Sequence, residues 1–323
     1  MSIWLPTAPC TPGACVEPAQ AAVAVPRAVL RLTAIAVLLS AGIALSPLGG
    51  RIPAGLVRRW CRWIVRAAGV RVRVTGAAAS TGGLLLVANH ISWLDIPLLA
   101  AVRPARMLAK NEIRQWPVAG PLAAYGGALF IERDRLRALP DTVAHIAREL
   151  RAGAAVAVFP EGSTWCGRAQ GPFRRAVFQA ALDAGVPVQP VRIRYRTADG
   201  AASTAPAFVG EDSLLASLWR VATARGITAE VDVRPVLPPG SHPDRRSLAR
   251  AAERAALPGP HQHQVPTPRI RRRPVPGPQG HRLHASEEPT LSGHVARRRD
   301  AVHGGQEDSG VPLRQRVVGE FPA

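Results

Sequence analysis

The sequence predicts an α/β fold, a mostly parallel sheet flanked by helices, with an N-terminal membrane-interfacial helical segment and a disordered C-terminal tail. Three observations carry this reading. Between residues 70 and 240, short apolar β-rich runs alternate with amphipathic stretches, the pattern of successive βα units. The composition, 47% hydrophobic and only 5% aromatic over 323 residues, suits Ala/Val/Leu-packed layers around one substantial core. Polar clusters fall where strands end, the edge at which open parallel sheets place their sites.

Residues 1–26 combine several prolines with no periodicity and read as a disordered leader. Residues 27–69 read as a membrane-associated helical segment. Within it Leu32 to Ser46 carry no charge, yet this run is shorter than the roughly 20 apolar residues a crossing helix needs. Arg27 and Arg31 precede it and Arg51, Arg58 and Arg59 follow, so positive charge flanks both ends. That suits a monotopic or short dipping segment with both ends on the cytoplasmic face. A signal peptide and a buried core helix are the alternatives; the first normally starts its apolar stretch nearer the N-terminus. The next stretch sets Leu56, Trp60, Trp63, Ile64 and Ala67 opposite Arg58, Arg59, Arg62 and Arg66. Such a helix fits a headgroup interface or packs its tryptophans on the domain.

Residues 70–257 form the expected α/β domain. Runs 83–88, 105–109, 127–132, 154–159, 186–195 and 229–237 read as strands by their Val/Ile/Leu content. Segments 93–102, 118–125, 140–151, 173–183 and 213–224 read as helices between them. From residue 258 to 323 the chain turns rich in Pro, Arg, His and Gly without an apolar period, and disorder is expected there.

The formal charge is +19, from 41 Lys plus Arg against 22 Asp plus Glu. Anionic lipid, phosphorylated substrates and nucleic acid all attract such a chain. The tail holds ten of the arginines against six acids and a single aromatic, Phe321, so base-stacking recognition of nucleic acid is not expected. Four cysteines, Cys10, Cys15, Cys61 and Cys166, lack CxxC spacing, and six of the nine histidines lie beyond residue 260. A reducing compartment and no structural metal follow as expectations.

Four clusters carry chemistry. In "LVANHISWLDIP", Ser92 and Asp95 form an S-x-x-D pattern at a helix start, with Ser92 as the cap. Asp95 either complements the helix dipole alone or also fixes the tautomer of His90, which could then take a proton from a hydroxyl. In "AVFPEGSTWCG" a buried strand runs into Glu161, Gly162 and Ser163, either a solvated turn or a site wall. "GALFIERD" brings Arg133 out of a strand end, and "MLAKNEI" does the same for Lys110, the only lysine in the chain. Guanidinium and ammonium groups at a strand end suit phosphate, or simply solvent.

The blocks "NHISWLD", "GALFIER", "FPEGS" and "VPVQPV" occur in one order between Asn89 and Val191, and together they resemble the motifs of the glycerolipid acyltransferase family of 1-acylglycerol-3-phosphate acyltransferase type. The resemblance implies transfer of an acyl group from acyl-CoA or acyl-carrier protein to the sn-2 hydroxyl of 1-acylglycerol-3-phosphate at a membrane surface, with no metal or bound cofactor. It implies His90 as the general base, Asp95 as its orienting partner, Lys110 and Arg133 as phosphate contacts, and Glu161, Gly162 and Ser163 as the acceptor pocket. One departure stands out. Family members often carry an arginine after FPEG[ST], whereas Trp165, Cys166 and Gly167 precede Arg168 here. Another acceptor, such as a lyso-ornithine lipid, is the alternative within the class. An inactive binder of anionic membranes or nucleic acid is the alternative outside it.

Overall fold

The computed structural model describes residues 8–18, 24–116, 118–132 and 136–257. The expected tail therefore lies outside the described residues, as does Arg133. In chain order the elements are α1 (Pro12–Cys15), α2 (Val25–Leu45), α3 (Ala54–Ala67), β1 (Arg71–Thr75), β2 (Leu84–Ala88) and α4 (Asp95–Val102). Then come β3 (Arg106–Lys110), α5 (Ala119–Tyr125), β4 (Leu129–Ile131), α6 (Leu139–Arg151) and β5 (Ala155–Val158). The described chain closes with α7 (Ala176–Ala184), β6 (Val188–Arg196), α8 (Leu214–Thr223), β7 (Thr228–Val233) and α9 (Arg245–Ala256).

One seven-stranded sheet runs β1-β7-β6-β2-β5-β3-β4. Every neighbouring pair is parallel except β6 and β7. Strand β2 sits at the centre with all five residues buried, which explains its unbroken Leu-Leu-Leu-Val-Ala. Its two-residue period sorts the core. Leu84, Leu86 and Ala88 face a layer containing α3, α4 and α8, while Leu85 and Val87 face α6, α7 and α9.

Strand β1, which the expected elements did not include, is the edge neighbour of β7. Its Arg-Val-Arg-Val alternation is that of an exposed strand, and it follows the basic helix without a break in composition. The two antiparallel strands beside it are laced by charge: Arg194 reaches Asp232 at 2.9 Å and Glu230 at 3.2 Å.

The leader departs from expectation over residues 8–18. Helix α1 forms, Cys10 is buried, and the Glu17 backbone N–H donates to Thr204 Oγ1 at 3.1 Å. Contacts with residues almost 200 positions away order this segment, so no local periodicity announces it.

Helix α2 begins earlier than the uncharged run, and its first turns hold Arg27 and Arg31. These cations turn onto the protein. Arg27 donates to the Thr223 carbonyl at 2.7 Å, and Arg31 to those of Ala222 at 3.0 Å and Ala224 at 2.7 Å, completing the carbonyl end of α8. What remains apolar, from Leu32 onward, is about 21 Å of helix at 1.5 Å per residue. Helix α3 returns along it: Trp60 Nε1 donates to the Leu38 carbonyl at 2.9 Å, over a bare Gly42 whose absent Cβ would lie 2.4 Å from the indole. Trp60 is thus an internal contact, while Trp63 stays 48% exposed.

Register places the site. Leu86 pairs with Ala157 and Met107 pairs with the same Ala157, so the chain emerges after β2, β5 and β3 at one edge. Asn89 locks the central exit: its Nδ2 donates to the Ile193 carbonyl at 2.9 Å and its Oδ1 accepts from the Ile193 N–H at 2.8 Å. Replacing Asn89 by Ala strands both buried backbone groups, so chemical denaturation should show a loss of about 2–4 kcal/mol, with Asn89→Asp falling between the variant and the parent.

Candidate active site

His90 follows β2 by two residues, on a stretch that turns before α4. Its Nδ1 lies 2.9 Å from Asp95 Oδ2. A carboxylate only accepts, so Nδ1 carries the proton and Nε2 keeps its lone pair. The imidazole lies flat against Phe159, centroids 3.9 Å apart and planes within 10°. The ring plane is therefore set from two directions.

Asp95 is fully buried, and four donors take the place of water. Beside His90, the N–H groups of Ile91 at 2.6 Å and Ser92 at 2.8 Å meet Oδ2, and Tyr195 donates to Oδ1 at 2.6 Å. The cap expected from S-x-x-D is changed in detail. Helix α4 starts at Asp95 rather than after Ser92, and Ser92 Oγ accepts from the nearby Leu94 N–H at 3.2 Å. Asp95 itself reaches back to the Ser92 N–H, which is the reciprocal half of a capping box.

Tyr195 was not among the expected site residues. The alternation Val191, Ile193, Tyr195 along β6 marks it as inward-facing, and a buried phenol needs a partner. That partner turned out to be the Asp95 carboxylate. Burial and that carboxylate together hold the phenol well above its ordinary value, so it stays a donor.

Glu161, expected in the acceptor wall, directs both carboxylate oxygens at backbone donors. Only 2% exposed, it accepts from the His90 N–H at 2.7 Å through Oε2 and from the Gly171 N–H at 3.0 Å through Oε1. With both oxygens on backbone, it holds the histidine stretch to the 160–171 loop. The Trp165 N–H adds a 2.8 Å bond to the His90 carbonyl, so this loop grips both peptide groups of His90. Burial pushes Glu161 up to about 8, against the pull of the two N–H donors. Gly162 adopts φ +78 in the turn, a conformation that suits glycine. Ser163 Oγ is buried with no hydrogen-bond partner, as are the indole nitrogens of Trp93 and Trp165 and Gln170 Oε1. Among the described residues these buried polar groups have no protein partner.

Lys110 ends β3 at the same edge and is exposed. Arg133 lies outside the described residues; Ile131, two positions before it, pairs with Lys110 across β3 and β4. Chemically, the arrangement provides one oriented imidazole base with a buried counter-charge, set at a sheet edge beside unsatisfied polar groups. It matches activation of a hydroxyl for acyl transfer.

Comparison with known proteins agrees with this chemistry. Residues 70–194 match the model of the family described as Acyltransferase. The chain is 40% identical over 203 residues to the lyso-ornithine lipid O-acyltransferase of Pseudomonas aeruginosa, a match covering 62% of this chain and 76% of that protein. It is 36% identical over 166 residues to the 1-acyl-sn-glycerol-3-phosphate acyltransferase of Neisseria gonorrhoeae, covering 51% of this chain and 65% of that one. The crystal structure of the 1-acyl-sn-glycerophosphate acyltransferase from Thermotoga maritima shares the fold, with a TM-score of 0.54 at 17% identity over 75% of this chain and 98% of that chain.

Two measurements probe the site's construction. Tyr195→Phe removes a donor from a buried carboxylate and should cost about 2 kcal/mol in denaturant titrations. Glu161 gives a pH signature. Its folded value of about 8 lies above the 4.5 of the free side chain, so the stability it contributes is fully present below about pH 4.5 and is lost as pH rises towards 8. Glu161→Gln has no such titration. Thermal melts from acid to mildly alkaline pH should therefore show the parent's advantage over this variant shrinking with rising pH; a constant gap contradicts the assignment.

Proposed function

Because this chain belongs to the acyltransferase family, we propose that it transfers a fatty acyl group from a thioester, acyl-CoA or acyl-carrier protein, to the hydroxyl of a lysolipid, in the first instance the sn-2 hydroxyl of 1-acylglycerol-3-phosphate. The observation that carries the reading is the 2.9 Å contact between His90 and the buried Asp95. His90 Nε2 takes the acceptor's proton as its oxygen attacks the thioester carbonyl. The tetrahedral intermediate collapses with loss of thiolate, and the imidazolium returns the proton to sulfur. Asp95 balances the transient imidazolium, and no acyl-enzyme or metal is called for. In this reading Ser163 contacts the acceptor, Lys110 and Arg133 meet its phosphate, and Glu161 acts through the position of His90.

A lyso-ornithine lipid is the second acceptor, favoured by the 40% identity to the Pseudomonas protein and by Trp165 and Cys166 standing where an arginine often follows the FPEGS block. It also needs a smaller complement of phosphate-binding cations.

The reaction takes place at a membrane, in our proposal at its cytoplasmic face, with α2 lying in the interface. Leu30 at 71%, Val37 at 63% and, on the neighbouring α8, Leu215 at 79% present apolar surface that the described residues leave exposed. The 25 residues from Val25 to Gly49 are long and apolar enough to cross a bilayer; the contacts of Arg27 and Arg31 with the end of α8 support an interfacial placement instead.

His90→Ala should lower turnover about a thousand-fold with the circular dichroism spectrum unchanged. Offering lysophosphatidic acid and lyso-ornithine lipid separately, with either acyl donor, separates the two acceptors by product; turnover of the second alone rejects the first. Replacing Leu30 and Val37 by Glu should move the protein from membrane pellet to supernatant, while His90→Ala pellets like the parent.

A further inference from the structure

The fold assembles three cysteines that sequence spacing keeps apart. Cys10 precedes helix α1 and Cys15 ends it, and Cys166 stands 151 positions beyond Cys15, within the loop that carries Glu161. Their sulfur atoms all lie within 4.8 Å of one another. We propose that Cys10, Cys15 and Cys166 bind one zinc ion as a tricysteinyl site that fastens the N-terminal segment to the loop behind His90.

Geometry supports a metal over a disulfide. At about 2.3 Å per Zn–S bond, tetrahedral thiolates stand about 3.8 Å apart, so closure needs shifts of an ångström or less. A disulfide uses two sulfurs and leaves the third without a role, whereas a metal employs all three. All four cysteines of the chain are free thiols, and Cys61, buried in α3, belongs to another part of the fold. Cys10 and Cys166 are buried and Cys15 is half-buried, which leaves the fourth coordination position on the Cys15 side for solvent. Thiolates also need outer support. The loop around Cys166 supplies it, held by the Gly171 N–H on Glu161 at 3.0 Å and by the Trp165 N–H on the His90 carbonyl at 2.8 Å.

The surroundings are built for docking. Gly210, at φ +59, lets the Cys10 carbonyl approach to 3.0 Å of where its Cβ would stand. Glu17 accepts from the Thr204 N–H at 3.3 Å and reaches Arg168 at 3.5 Å, tying the far end of the segment. Across the loop, Glu161 and Trp165 hold the two peptide groups of His90. Zinc here stiffens the loop that sets His90 and takes no part in proton or acyl transfer. The assignment is independent of which lysolipid is acylated.

Full-length protein purified in reductant without chelator and equilibrated with zinc should retain about one zinc per chain after removal of excess metal. Cys10→Ser, Cys15→Ser and Cys166→Ser should each retain several-fold less, while Cys61→Ser retains the full amount. Should a variant fail to fold, the parent still decides: cobalt in place of zinc should give the near-ultraviolet thiolate charge-transfer band, and mercurial titration of the thiols should release the bound zinc. Parent protein that holds less than about a tenth of an equivalent overturns the proposal, as does zinc retained by all three variants. So does a Cys10–Cys166 disulfide with no metal, which mass spectrometry under non-reducing conditions detects.

Discussion

The Asp95 carboxylate is the fixed point on which this site depends. A charge taken wholly out of water costs several kcal/mol unless donors replace its hydration. Here they come from an imidazole, two peptide N–H groups and a phenol. Those four donors belong to three parts of the chain: the exit of β2, the turn into α4, and β6. Satisfying one carboxylate thus forces the strand exit, the helix start and a neighbouring strand into a single arrangement. The same contacts decide which nitrogen of His90 bears a proton, so burying the carboxylate also orients the imidazole.

The sheet supplies the second constraint. Parallel strands in shared register deliver their exits together, and the residues immediately beyond Ala88 and Val158 inherit that alignment. Asn89 clamps the central exit to β6, and the 160–171 loop then closes over it from β5. The precision of the histidine is thus held by backbone hydrogen bonds rather than by side-chain packing alone. Phe159 adds a broad aromatic surface stacked on the ring.

Much of this was readable without coordinates. The six expected strands and the helices between them appear with ends displaced by a few residues, because apolar runs and amphipathic periods are local signals. His90 and Asp95 were visible for the same reason, lying five positions apart. What escaped depended on distant partners. Tyr195 pairs with a carboxylate a hundred positions earlier, and α1 docks onto residues near 204. Arg27 and Arg31, read as charges flanking an apolar segment, also meet carbonyls that only folding presents. Glu161 was recognised as important from its block, yet no spacing could reveal that both its oxygens serve backbone. The antiparallel pairing of β6 with β7 was likewise outside the reach of periodicity, which is blind to strand direction.

The guanidinium bonds between α2 and the end of α8 have a mechanical consequence. Three short contacts to carbonyls leave no hinge at the root of the apolar helix, and Trp60 seals its flank against α3. Helix α8 leads directly into β7, the strand beside β6. Helix α2 and the sheet are therefore tied at that root, and the inclination of α2 is set relative to the sheet edge that carries His90.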